Sequence, residues 1–206
     1  MIRIRNGRVT GVGARRPGAT ELRVAVDDEA GEVDAISYDQ LTGPVAEGDR
    51  VVLNTTAVAL GLGTGGFHVV MARLGGPVDA PGPGHVIKAR YTPSQVRVLA
   101  VEEEDSPHRA AVAACTGLDG LPVVCAELHS MVPVVAAAVR AVADELVVAY
   151  VMTDGGALPL AFSRLAAELR AGGLVAGTIT AGQAFGGDLE AISLFSALAS
   201  CRAVLA

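Results

Sequence analysis

The sequence predicts an α/β protein: a parallel sheet with flanking helices, preceded by a small N-terminal β-barrel or sandwich module. Three observations carry that expectation. Short runs alternating apolar and polar residues, separated by turn signals, fill residues 1–75. Gly75-Gly-Pro-Val-Asp-Ala-Pro-Gly-Pro-Gly84 then packs four glycines and three prolines into ten residues, which neither a helix nor a central strand accommodates. From Leu121 onward, apolar strand-like runs alternate with segments of helical spacing, the pattern of a parallel sheet with right-handed crossovers. The expected organisation is a barrel-like module over 1–75, a linker over 76–84 and a parallel α/β domain over 85–206.

The elements follow in order. Ile2, Ile4 and Val9 alternate with arginines around Asn6-Gly7, which predicts a two-residue turn between half-buried strands. Leu22, Val24 and Val26 alternate again, and Val33, Ile36 and Tyr38 follow a turn at Gly31. Gly48-Asp49 opens the strand Arg50 to Asn54, and Phe67 to Leu74 gives one more. Past the linker, His85 to Pro93 and Val96 to Val101 read as strands, and Ser106-Pro107 has the cap and first-turn chemistry of a helix start. Pro122 to Leu128 is then expected as a strand and Ser130 to Asp144 as a helix. Leu146 to Met152 is a strand, Leu158 to Arg170 its helix and Leu174 to Thr180 a third strand. Asp188 to Ser200 is expected as a helix and Ala203 to Ala206 as a fourth strand.

Composition narrows the function. With 206 residues and 51% hydrophobic content the chain can bury a sizeable core, but only 3% of residues are aromatic and Trp is absent. A core of Ala, Val and Leu offers no platform for stacking bases, and a net charge of −6 is the opposite of a nucleic-acid footprint. Arg3, Arg5, Arg8, Arg15 and Arg16 form a basic strip, read as the solvated face of an edge hairpin. Cys115, Cys125 and Cys201 have no metal-ligand or redox spacing, so they are read as free thiols and no metal site is implied. The charged N-terminus and the charges within Val132 to Met152 argue against a signal peptide and a membrane span, which points to a cytoplasmic protein. One detail stands apart: of 16 basic residues 15 are arginine, and Lys88 is the sole lysine. A compact ammonium does what a guanidinium cannot, which makes Lys88 a candidate.

Chemistry is expected where strands end. In a parallel sheet ligands bind outside the carboxyl ends of the strands, beside free helix N–H groups. Three strand-like runs finish in polar groups: Glu127-Leu-His129-Ser130, Thr153-Asp154-Gly155-Gly156, and Thr178-Ile-Thr180-Ala-Gly-Gln183-Ala-Phe-Gly186-Gly187-Asp188. Asp154 and His129 are the candidate catalytic residues, a carboxylate and a base. Lys88, Arg90, Ser130, Thr153, Gly155, Gly156, Thr180, Gln183, Gly186, Gly187 and Asp188 are candidate ligand contacts. The expected ligand is an anionic small molecule, a nucleotide or phosphorylated metabolite, held by glycine-rich loops. No cofactor is indicated. A second glycine-rich run, Leu62-Gly-Thr-Gly-Gly, lacks the Lys of a P-loop and reads as a hairpin. The alternative is an adaptor whose β-module docks a macromolecule.

Four segments carry a family resemblance: Gly84-His-Val-Ile-Lys-Ala-Arg-Tyr-Thr-Pro93, Leu121-Pro-Val-Val-Cys-Ala-Glu-Leu-His-Ser-Met-Val-Pro133, Ala149-Tyr-Val-Met-Thr-Asp-Gly-Gly-Ala-Leu-Pro159 and Gly177-Thr-Ile-Thr-Ala-Gly-Gln-Ala-Phe-Gly-Gly-Asp-Leu-Glu190. With Leu53-Asn-Thr-Thr-Ala they resemble the bacterial domain-of-unknown-function family DUF3866, this chain matching its N-terminal portion. The resemblance implies no activity. It does imply that similar proteins continue the sheet beyond the equivalent of Ala206. An apolar strand at 203–206 is therefore expected to need a homodimer or a second chain to complete the sheet.

Overall fold

The computed structural model describes residues 1–80 and 82–205, with side chains through Arg202. The chain divides into two compact units, Met1–Pro81 and Gly82–Ala206.

The first unit is a closed five-stranded barrel, with strands β1 (Ile4–Arg16), β2 (Ala19–Val26), β3 (Glu32–Tyr38), β4 (Arg50–Asn54) and β5 (His68–Leu74) in the order β1-β2-β3-β5-β4. β1 closes the barrel on β4, and β3/β5 is its one parallel pair. That order is the one of the oligonucleotide-binding fold. No turn forms at Asn6-Gly7. Gly7 lies inside β1 with Val26 on one side and Val51 on the other, which is how one 13-residue strand joins both ends of the sheet. Register shifts after Val9 and Val12 bend it to do so. The turn is at 17–18 instead, where Gly18 has φ +76°. Inward-facing Val9, Leu22, Val24, Ala35, Val51, Leu53 and Val70 fill the interior, each strand contributing alternate residues. Two short helices, α1 (Asp39–Thr42) and α2 (Thr56–Ala59), sit in the connections.

The second unit begins with the antiparallel pair β6 (Val86–Lys88) and β7 (Val96–Val98). Helices α3 (Arg109–Ala113) and α4 (Val132–Val142) precede β8 (Ala149–Met152). Then come α5 (Arg164–Ala171), β9 (Gly177–Ala181), β10 (Leu189–Ala191) and α6 (Leu194–Leu205). β8, β9 and β10 form a parallel sheet with β9 in the middle, and Ala100 adds a single parallel bridge to Glu190. All five residues of β9 are buried, as its unbroken apolar and threonine run requires. Ile179, Ala181 and Ala191 pack with Val112 of α3 and Ala197 of α6 on one face. Tyr150 and Met152 pack with Ala166 of α5 on the other.

Several expected elements differ. Pro122 to Leu128 pairs with nothing among the described residues. Val123, Val124 and Leu128 are 49%, 64% and 62% exposed, so this apolar run lies beside the sheet rather than in it. The helix expected from Leu158 starts at Arg164, because residues 158–160 exchange backbone bonds with Phe185 and Ser163 supplies the cap. Asp188 opens β10 rather than a helix. α6 starts five residues after Leu189, where Ser193 and Ser196 exchange capping bonds. Residues 203–205 continue α6 instead of forming a strand, and Ala206 lies outside the described residues. The apolar strand for which a second chain was expected is therefore not formed.

Gly7 and Gly11 of β1 make a matched pair for testing the barrel. A Cβ on Gly7 would lie 2.6 Å from Val24 Cγ1 and 2.8 Å from the Ala25 carbonyl oxygen, whereas one on Gly11 has nothing nearer than 3.9 Å. Chemical denaturation should show Gly7→Ala destabilised by about 1–3 kcal/mol through overpacking. Gly11→Ala should stay within about 0.5 kcal/mol of the parent.

Candidate functional site

The carboxyl edge of the sheet is built around a short return. β9 ends at Ala181 and β10 starts at Leu189, parallel and adjacent, so only residues 182–188 carry the chain back. Parallel neighbours ordinarily need a crossover of about a dozen residues or more. The glycines make the short path possible: Gly182 and Gly186 have φ +68° and +91°, and a Cβ on Gly187 would lie 2.9 Å from the Thr180 nitrogen.

Lys88 fills the inside of this return. Its side chain is 1% exposed, and Nζ donates to the Thr180 carbonyl at 2.9 Å, the Ala184 carbonyl at 2.7 Å and Glu190 Oε2 at 2.7 Å. Glu190 is buried as well, and accepts the Gly186 N–H at 2.7 Å and the Thr180 hydroxyl at 2.6 Å. The Gly187 N–H donates to Thr180 Oγ1 at 3.2 Å. Burial pulls the Lys88 pKa below the usual lysine value, and Glu190 opposes that pull. Three acceptors at bonding distance need three protons on Nζ, so Lys88 is an ammonium. The expected anion cradle of Lys88, Thr180, Gly186 and Gly187 thus holds an anion that belongs to the chain itself. Asp188 is likewise committed. Burial disfavours its charge, yet the Thr178 amide and hydroxyl and Arg170 hold its carboxyl below the usual range.

Two groups of candidates remain reachable. Asp154 Oδ2 accepts the Gln183 N–H at 3.2 Å, and Gln183 Oε1 accepts the Arg90 N–H at 3.0 Å, so Asp154, Gln183 and Arg90 come together at the surface. Ala89 and Tyr91, flanking Arg90, have φ +52° and +60°, and Tyr91 is 100% exposed. His129 is not in this group. Its Nδ1 lies 2.8 Å from Tyr150 Oη and its Nε2 2.6 Å from Ser163 Oγ. Ser163 Oγ also accepts the Ala166 N–H at 3.0 Å as the cap of α5. Burial lowers the His129 pKa and raises that of Tyr150, so both are neutral near pH 7.

His129 and Tyr150 line a groove of about 660 Å³ between the exposed run 121–128 and β8. Valines and leucines make up half of its wall, among them Val124, Val135, Val139 and Val147. Thr153, Gly155 and Gly156 border it, with a turn bond from the Gly156 N–H to the Thr153 carbonyl, while Ser130 is exposed on the 3-10 turn that carries His129. Among the described residues no cluster of three or more His, Cys, Asp or Glu could hold a metal ion. Sequence reasoning missed Tyr150, Ser163 and Glu190. Ser163 was findable as a helix cap, and Tyr150 as the one polar handle within an apolar strand.

In the barrel three arginines of the strip are paired with carboxylates, Arg3 and Arg5 sharing Glu29 and Arg16 meeting Glu21. Arg5 pairs with Glu29 at 3.2 Å and Arg16 with Glu21 at 2.6 Å, while Arg8 donates to the Gly48 carbonyl at 2.8 Å. Elsewhere in the barrel, Arg23 of β2 pairs with Asp34 directly opposite on β3, and Arg50 pairs with Asp27.

A family model described as a protein of unknown function (DUF3866) matches residues 34–206, so the match begins inside β3. No curated protein and no solved structure matches the chain. No helix among the described residues is long and apolar enough to cross a membrane.

Removing the Lys88 ammonium leaves the Glu190 charge buried and two carbonyls bare. Lys88→Met should therefore cost about 3–5 kcal/mol in denaturant unfolding of the second unit. Lys88→Arg should also be destabilising, since a planar fork does not match three converging acceptors. A second expectation concerns pH. Burial holds the imidazoles of both His129 and His68 below their ordinary value of 6.5. Above 6.5 both are neutral in folded and unfolded chains and full stability is present. As pH falls below 6.5 the unfolded chain takes up protons first, so stability declines until the folded-state values are passed. Melting temperature should fall between pH 7 and about 5, and the double variant His129→Gln/His68→Gln should flatten that slope.

Proposed function

This chain belongs to the DUF3866 family, and we propose that its second unit is a small-molecule binding module whose ligand lies in the groove beside β8. The observation that carries the reading is the groove's composition: an apolar wall with His129 and Tyr150, both neutral and hydrogen-bonded to each other, presented into it. A concave, mostly apolar cleft with a few converging polar groups of shifted pKa is the usual form of such a site. The ligand it fits has an aliphatic body and an uncharged polar head. A phosphorylated metabolite fits less well, because Lys88 and the Gly186 amide already hold Glu190 and the Gly187 amide is taken by Thr180 Oγ1.

A saturable fluorescence titration with an aliphatic ester probe tests the reading. Val147 lines the groove and is 49% exposed, so Val147→Arg should leave folding intact while weakening binding at least about tenfold, the equivalent of ~1.4 kcal/mol. If Val147→Arg binds like the parent and Asp154→Asn abolishes binding, the ligand site is instead the Asp154, Gln183 and Arg90 group.

A further inference from the structure

Ser163, His129 and Tyr150 come from three separate elements: the cap of α5, the 3-10 turn 129–131 and β8. They form a hydrogen-bonded chain that reaches the groove at its Tyr150 end, and the serine sets its direction. Ser163 Oγ accepts the Ala166 N–H at 3.0 Å and lies 2.6 Å from His129 Nε2. An oxygen that already accepts an amide is the better donor and the poorer second acceptor, because hydrogen bonds in a chain polarise one another. The lengths agree. Hydroxyl donors make shorter bonds than N–H donors, and the serine contact is shorter than the 2.8 Å between His129 Nδ1 and Tyr150 Oη. The Ser163 hydroxyl thus donates to Nε2, Nδ1 carries the ring proton, and the Nδ1–H donates to Tyr150 Oη. These roles are assigned from the bonding network. Burial favours the neutral imidazole this requires and keeps the phenol protonated. Tyr150 is an acceptor toward His129, so its own O–H is left to give to the groove it lines.

Resting on the groove reading above, we infer that the ligand carries an uncharged carbonyl oxygen on its aliphatic body, that the Tyr150 hydroxyl donates to that oxygen, and that Ser163 and His129 are positioning residues that hold the phenol in the donating sense. The charge of the groove excludes other acceptors. Among the described residues that wall it, Glu127 is the only Asp, Glu, Lys or Arg, so a carboxylate or phosphate head meets a like charge and no cation. A protonated amine has the opposite fault, since it offers donors only and leaves the Tyr150 hydrogen without an acceptor. A site built to hydrogen-bond one group rejects analogues lacking that group far more strongly than an apolar wall rejects a change of chain length. Selection by head group therefore lies with Tyr150, and the valines and leucines hold the chain. The same reading accounts for the second contact of Ser163. A helix cap needs one acceptor only, and the further bond to Nε2 fixes the imidazole tautomer. With no hydroxyl there, the ring proton is free to sit on Nε2. The phenol then turns back to donate to Nδ1 and shows the groove only lone pairs, which suit a donor head.

The test uses the full chain with methyl octanoate carrying ¹³C at its carbonyl. On binding, the infrared carbonyl band should move below its position in a hydrocarbon solvent. Tyr150→Phe should return the band to that position and weaken binding about 3- to 10-fold, the usual net worth of one hydrogen bond. Nonane, which has no head group, should bind the parent and Tyr150→Phe alike. Octanoate and octylammonium should bind the parent about tenfold or more weakly than the ester, the loss expected when a buried donor is left unpaired. The ¹⁵N shifts of the His129 ring, assigned with His129→Gln, should be those of a protonated Nδ1 and a bare Nε2. Ser163→Gly, a replacement that helix caps tolerate at small cost, should mix the two tautomers and lose much of the band shift, although Ser163 does not line the groove. Ser163→Thr, which restores a capping hydroxyl, should recover both. An ester that binds saturably with an unshifted band, a bare Nδ1 in the parent, or octylammonium binding as tightly as the ester would overturn this inference and leave the groove reading intact. If neither the ester nor nonane binds the parent, both fall.

Discussion

The second unit depends on one buried ammonium. A parallel strand pair joined by residues 182–188 turns the Thr180 and Ala184 carbonyls inward, away from water, where each needs a donor. A guanidinium is a flat, fixed fork, whereas one compact ammonium donates from a single nitrogen to three acceptors. Lys88 arrives from β6 on a flexible stem, meets both carbonyls and neutralises Glu190. The same carboxylate then binds the Gly186 amide and the Thr180 hydroxyl, so a single cation organises the end of β9, the glycine return and β10. Buried ion pairs are weak evidence for net stability, but one stripped of a partner is costly. The pair therefore specifies this return more than it strengthens the fold.

That closure decides where a ligand can go. The amides at Gly186 and Gly187 face Glu190 and Thr180. Asp188 is held by Thr178 and Arg170. Open space lies instead along β8, where the apolar run 121–128 leaves the strand unpaired on one side and walls the groove. His129 and Tyr150 both line that space, hydrogen-bonded to each other with ring centroids 5.5 Å apart.

Much of this was legible beforehand, and the exceptions have physical causes. The barrel was readable because alternation over short runs has one meaning in an antiparallel sheet. Asn6-Gly7 was misread as a turn because the dipeptide that makes tight hairpins also fits a strand where two neighbours crowd the backbone, as Val24 crowds Gly7. Pro122 to Leu128 has a strand's composition but not its pairing, and composition cannot report whether an edge accepts a partner. The glycines of the return looked like a ligand cradle because one of their amides, that of Gly186, does bind an anion. That the anion is Glu190, over a hundred positions from the lysine that pairs with it, is a long-range fact. Lys88 stood out as the one lysine among arginines and was read as a candidate ligand contact; its place in the structure is instead on two carbonyls and the chain's own Glu190, three converging acceptors that suit a tetrahedral head.

The chain's single lysine gives that claim an unusually direct test. In a sample labelled with ¹⁵N only at lysine, the side-chain spectrum contains one resonance, from Lys88 Nζ. A fully hydrogen-bonded, buried ammonium should give a slowly exchanging NH3+ signal at neutral pH, visible where exposed lysines exchange too fast to detect. It should vanish on unfolding and shift in Glu190→Gln. A neutral-amine shift at pH 7, or a resonance lost to rapid exchange in the folded protein, would contradict the account.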